Sequence, residues 1–145
     1  MVVSRSHPEE FLMKHDRYTF RVTLDAEPAA VEQRVRKALA DEGFGVLTEI
    51  DVQATLRDKL GEEMPPYTIL GACNPPLAHQ ALKADPAIGG LLPCNVVVRA
   101  HPDGGTELIA VDPDRMLGIA EEPALEGLAH EVSERLQRAL MAVQS

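Results

Sequence analysis

Between Tyr18 and Leu24, apolar residues occupy every even position and polar residues every odd one. A side-chain period of two belongs to a β-strand with one buried face, so the chain must build a sheet and cover one side of it. The cover is written at the far end. Leu125, Leu128, Val132, Leu136, Leu140 and Val143 recur at spacings of three or four, which is the stripe of a long amphipathic helix. Glu131–Arg135 and Glu134–Arg138 stand four apart on its outer side, where opposite charges support a helix.

The elements between these two are bounded by caps and breakers. Pro28 opens a helix striped by Val31, Val35, Ala38 and Leu39, and Gly43 ends it. Phe44 to Ile50 reads as a strand. Asp51 is placed to cap a helix that carries Val52, Leu56 and Leu60 and stops at Gly61. After the Pro65-Pro66 loop comes a strand, Tyr67 to Cys73. Asn74 then caps a helix entered through Pro75 and buried along Leu77, Ala78, Ala81 and Leu82. Leu91 to Ala100 reads as a strand with Pro93 near its start, Pro102 to Gly105 as a hairpin turn, and Thr106 to Val111 as the returning strand. Asp112 to Glu122 reads as a loop, and Pro123 opens the last helix.

This order predicts a single α+β domain over residues 17–145. It has a mixed β-sheet of about five strands, helices packed on it and a long C-terminal helix. Residues 1–16 lack firm periodicity and are expected to form an N-terminal extension.

Composition bounds the function. Lys and Arg total 14 against 23 Asp and Glu, a net charge of −9. Such a chain repels a phosphate backbone, and with no Trp and only five Phe and Tyr it has little to stack bases on. No nucleic-acid partner is expected. No apolar run approaches the roughly 18 residues that span a bilayer, so no membrane partner is expected either. The two cysteines form no C-x-x-C pair, and the N-terminus lacks a signal-peptide run. Both point to a reducing, cytoplasmic setting.

The phosphate-cradling, dinucleotide, nucleophile-elbow and zinc-helix motifs are all missing. The five histidines show no ligand spacing. No cofactor, metal or catalytic residue is assigned, and whether the protein is an enzyme stays open.

What remains is a pair of Cys-Asn dipeptides, Cys73-Asn74 and Cys94-Asn95. A thiol at a helix N-terminus can have a lowered pKa, and Asn offers both a donor and an acceptor. The plainer reading is that each cysteine is a small apolar filler. The segment after Asp112 adds Met116, Leu117 and Ile119 to an expected loop. An apolar loop can close over a ligand, sit in a subunit interface or fold back on its own core. The two sulfurs lie far apart if their strands run parallel and near each other if antiparallel.

Gly43 to Asp51 (GFGVLTEID), Tyr67 to Pro76 (YTILGACNPP), Leu91 to Val98 (LLPCNVVV), Asp112-Pro113 with Met116, and the final helix resemble, in order, the domain-of-unknown-function family numbered 302. The resemblance runs from about Tyr18 to Val143. It implies a compact α+β domain, commonly a homodimer, and no assigned activity. It draws attention to Cys73, Asn74, Pro75, Pro93, Cys94 and Asn95.

The sequence thus leads to three expectations. The first is a small-ligand-binding homodimer with a site at Cys73, Asn74, Cys94, Asn95, Asp112 and Met116. The second is thiol-redox or soft-metal handling, since Cys73, Cys94 and Met116 are ligands suited to copper. The third is a structural module with the Met116 segment in a subunit interface.

Overall fold

The computed structural model describes residues 13–144. Among the described residues, six strands form one sheet: β1 (Lys14–Asp16), β2 (Thr19–Leu24), β3 (Gly45–Asp51), β4 (Tyr67–Cys73), β5 (Cys94–Ala100) and β6 (Thr106–Val111). Their spatial order is β1-β2-β6-β5-β4-β3. Every neighbouring pair is antiparallel, so the sheet is not mixed, and it has six strands rather than about five. The additional strand is β1, three residues paired with β2, which the sequence reading placed in the N-terminal extension. The rest of that extension, residues 1–12, lies outside the described residues.

Four α-helices longer than two turns connect and cover the sheet. They are α1 (Pro28–Asp41), α2 (Val52–Leu60), α3 (Pro75–Ala84) and α5 (Glu126–Val143). Val31, Val35, Ala38 and Leu39 of α1 are buried, as their spacing requires. Leu77 comes from α3, and Val132, Leu136, Ala139, Leu140 and Val143 from α5. All pack with Phe20, Val22, Leu24, Leu70, Ala72, Cys94, Val96, Val98, Leu108 and Ala110 of the strands. The cross-strand partners Leu70↔Val96↔Ala110↔Phe20 and Ala72↔Cys94 show that these strand residues share one side of the sheet. The main core is therefore one layer of helix on one face of one sheet. The α2 helix buries none of its residues.

Two segments differ from the sequence reading. Residues 91–93 do not belong to β5. Pro86–Leu91 form a 3-10 turn whose Ile88 is fully buried, and Asp85 Oδ1 accepts a hydrogen bond from the Ala87 amide at 3.0 Å. Asp112 to Glu122 is likewise no simple loop. Pro113–Gly118 form a short helix, α4, capped where Asp112 Oδ1 accepts from the Asp114 amide at 2.9 Å. The apolar residues there now have a physical reason. Leu117 joins Ala81, Ile88, Leu125 and Ala129 in a second apolar cluster, and Met116 packs against both clusters. Pro123–Leu125 make a separate 3-10 turn, so the last helix begins at Glu126.

Candidate functional site

Antiparallel pairing of β4 and β5 brings the two Cys-Asn dipeptides to the same end of the sheet. Ala72 faces Cys94 and Gly71 faces Asn95. Because side chains alternate across a strand, each dipeptide is split. Cys94 points into the helix-covered core and is 5% exposed. Asn95 and Cys73 point to the opposite side, where Asn95 is exposed and Cys73 half-buried. They are diagonal neighbours across the β4–β5 pair.

Asn74 leaves the strand and turns inward. It is buried; its Oδ1 accepts from the Leu77 amide at 3.4 Å and its Nδ2 donates to the Glu42 carbonyl at 3.4 Å. Arg135 Nη1 donates to the same carbonyl at 3.2 Å. Asn74 thus caps α3 and ties it, through the end of α1, to α5. The chain must approach closely here. Gly43 holds φ +87°, and a Cβ on it would lie 3.0 Å from Asn74 Nδ2.

The thiols do not have the electrostatics of a reactive pair. Burial raises Cys73 above the ordinary thiol value, so its place beside a helix N-terminus does not lower it. Burial, with a smaller contribution from the nearby Cys73, pushes Cys94 up to about 12. Both are free thiols. Their Cβ atoms leave opposite sides of the sheet, and such vectors cannot be joined by a disulfide without moving backbone. Among the described residues, no three His, Cys, Asp or Glu side chains are grouped to hold a metal ion.

Asp112 and Met116 lie before and in α4, respectively. Asp112 spends its carboxylate on the helix cap, and Met116 packs between the two apolar clusters. The six sequence-derived candidates therefore fall into two environments. Cys73 and Asn95 are on the outward face of the sheet. Asn74, Cys94, Asp112 and Met116 make caps and core.

Sequence reasoning did not identify a cleft of about 390 Å³ lined by Asp114, Glu121, Glu122 and Glu126 above Leu117, Leu125 and Ala129. Reading residues 112–122 as a loop hid the helix that forms its wall. Nor did it identify the outward sheet face as a surface. There Ile50, Ile69, Val97 and Ile109 stand opposite one another across β3, β4, β5 and β6. None of them joins either core cluster. The signal was present, since β4 and β5 carry apolar residues at both strand parities.

Among the described residues, no helix is long and apolar enough to cross a membrane. A search of the curated proteins found no match. Among solved structures, the chain is similar to the crystal structure of an uncharacterized conserved protein, DUF302, from Bacillus stearothermophilus. The two share 29% identity over 88% of this chain and 98% of that one, with a TM-score of 0.82. The family model described as Domain of unknown function DUF302 matches residues 20–143, from the first full strand of the sheet to the last residue of α5. The chain belongs to the DUF302 family.

Proposed function

We propose that this domain is a small-ligand-binding homodimer of the reducing cytoplasm, with its ligand contacts on the outward side of the sheet. The observation that supports this is the placement of Cys73 and Asn95 on that side, one half-buried and one exposed. Asn95 supplies a donor and an acceptor, and the neutral Cys73 thiol a soft contact. Asn74, Cys94, Asp112 and Met116 serve the site from behind by holding the ends of β4, β5 and α4. A thiol-redox role is less well supported, because both thiols are protonated at neutral pH and face apart. Copper handling is weakened by the same geometry, since two of its three ligands lie on opposite sides of a strand pair.

Native mass spectrometry of the full chain tests this reading. The expected species is a dimer that retains a small adduct, lost in Cys73→Ser and Asn95→Ala. A bare chain in every preparation, with no saturable thermal shift across nucleotides, sugars, amino acids and short carboxylates, removes the ligand-binding part.

A further inference from the structure

We propose that the segment before β1, residues 1–12, docks across the outward face of the sheet, along the row Ile50–Ile69–Val97–Ile109. The proposal does not require the homodimer above, since face and cover belong to one chain.

The row is built by register. Ile50 faces Ile69, Ile69 faces Val97, and Val97 faces Ile109. Ile50 is 48% exposed, and the other three are half-buried. β4 and β5 place Ile69 and Val97 outward as well as Leu70, Ala72, Val96 and Val98 inward. Strands apolar at both parities are those buried on both faces. The helices of the main core cover the inward side, and the pattern of β4 and β5 requires a second cover.

The same register delivers the chain to that row. Ile109 faces Arg21, and Arg21 faces Lys14, the first residue of β1. Lys14 therefore heads the line that continues as Arg21, Ile109, Val97, Ile69 and Ile50. Residues 1–12 join the sheet at this point, and the inward side beside Met13 is already filled by the main core. At the spacing between adjacent strands, Ile109 lies about 10 Å from Lys14 and Ile50 about 24 Å. Twelve residues span up to about 40 Å, enough to cross the whole row.

The composition of the segment matches the face. Its large apolar residues stand in two pairs, Val2-Val3 and Phe11-Leu12, with the polar run Ser4 to Glu10 between them. Phe11 is three residues from Lys14 and within reach of Ile109, and Val2 and Val3 have the length to reach Ile50. Covering the row removes apolar surface of both partners from water. Charge agrees with this occupant. The outward face carries Lys14, Arg21 and Arg99 against Asp16 and Glu107, whose pairings leave one cation in excess. The side chains of the segment bring one carboxylate in excess, Glu9 and Glu10 against Arg5. The family model begins at residue 20, so the segment lies outside the shared domain and this cover is an addition to it.

Nuclear magnetic resonance of the full chain, with Ile and Val methyl groups labelled, tests the proposal. Cross-relaxation is expected from the Phe11 ring to the methyl groups of Ile109 and Val97. In a mixture of labelled and unlabelled chains it is expected within one chain. Phe11→Asp combined with Leu12→Asp is expected to abolish it and to move the Ile69, Val97 and Ile109 resonances. Unmoved resonances of Val35 and Val132 in the main core confirm that the variant is folded. Absence of cross-relaxation between Phe11 and the row overturns the proposal, as do row resonances that stay fixed in the folded variant. Cross-relaxation found only between differently labelled chains also overturns it and assigns the face to another molecule.

Discussion

At the scale of single residues, the clearest constraint is Gly71. It lies opposite Asn95 on the outward side, and a Cβ there would collide with the Thr48 hydroxyl and lie 2.8 Å from Pro93 Cγ. Gly71→Ala should therefore cost about 1–3 kcal/mol, the range for overpacking a filled site. Urea melts of wild type and variant would read this directly. Thr48→Ala in the same chain should recover only part of the loss, since Pro93 remains in place.

Cys94 makes a pH-dependent prediction. Its thiol has a folded pKa of about 12 against an ordinary value of 9.0, so the folded state holds the proton more tightly. The stability this contributes is complete below pH 9 and is lost as pH rises toward 12, on the order of 4 kcal/mol in all. The stability difference between wild type and Cys94→Val should accordingly shrink across that window. A difference that stays flat would contradict burial as the cause.

Among the elements, caps decide more than propensity does. Asn74→Ala removes the side chain that accepts from Leu77 and donates to Glu42, and should lower stability by about 1–2 kcal/mol. Asp112→Ala removes the cap of α4. A six-residue helix has little propagation to sustain it, so the loss should appear as faster amide exchange confined to residues 113–118. Leu117→Ala acts on the same element from its buried side and should cost about 2–5 kcal/mol. Uniform exchange across the whole chain in Asp112→Ala would show that α4 does not open alone.

The elements also show how far the sequence could be read. The alternation of β2, the Asp51 and Asn74 caps and the stripe of α5 from Leu128 onward rest on local chemistry, and each appears where its pattern placed it, whereas Leu125 falls in the 3-10 turn before α5. Residues 113–118 were misread because Asp-Pro-Asp is compatible with either a turn or a helix start. Only the apolar pocket formed by Ala81, Ile88, Leu125 and Ala129 favours the helix, by burying Leu117. β1 was missed for a similar reason. Three residues carry no period, and their pairing with Arg21, Phe20 and Thr19 is supplied by β2.

Across the whole molecule, the division is between a sealed face and an outward one. The edge strand β3 shows why the chain need not aggregate through its border. A register shift between Val46 and Thr48 interrupts its pairing, and Glu49 and Asp51 put charge along it, both of which discourage edge-to-edge addition. Net charge works in the same direction. Self-repulsion in a chain of −9 opposes both compaction and association. Raising salt from about 10 mM to about 0.3 M, which shortens the screening length several-fold, should therefore raise the melting temperature by a few degrees. It should also tighten the proposed homodimer in light scattering. A fall in both would indicate that attractive charge pairs such as Arg99–Glu107 outweigh the global repulsion.

The sequence by itself determined the α+β class, the two layers, the Asp51 and Asn74 caps and the pair of Cys-Asn dipeptides, because periodicity and capping are local and leave their mark within a few residues. Tertiary structure alone decided what those dipeptides mean. Antiparallel register sets Ala72 against Cys94 and so sends Cys73 and Asn95 to one side of the sheet and Cys94 to the other. It also aligns Ile50, Ile69, Val97 and Ile109, residues up to 59 positions apart in the chain, into one row. Strand order and register are properties of the assembled sheet, and no single segment encodes them.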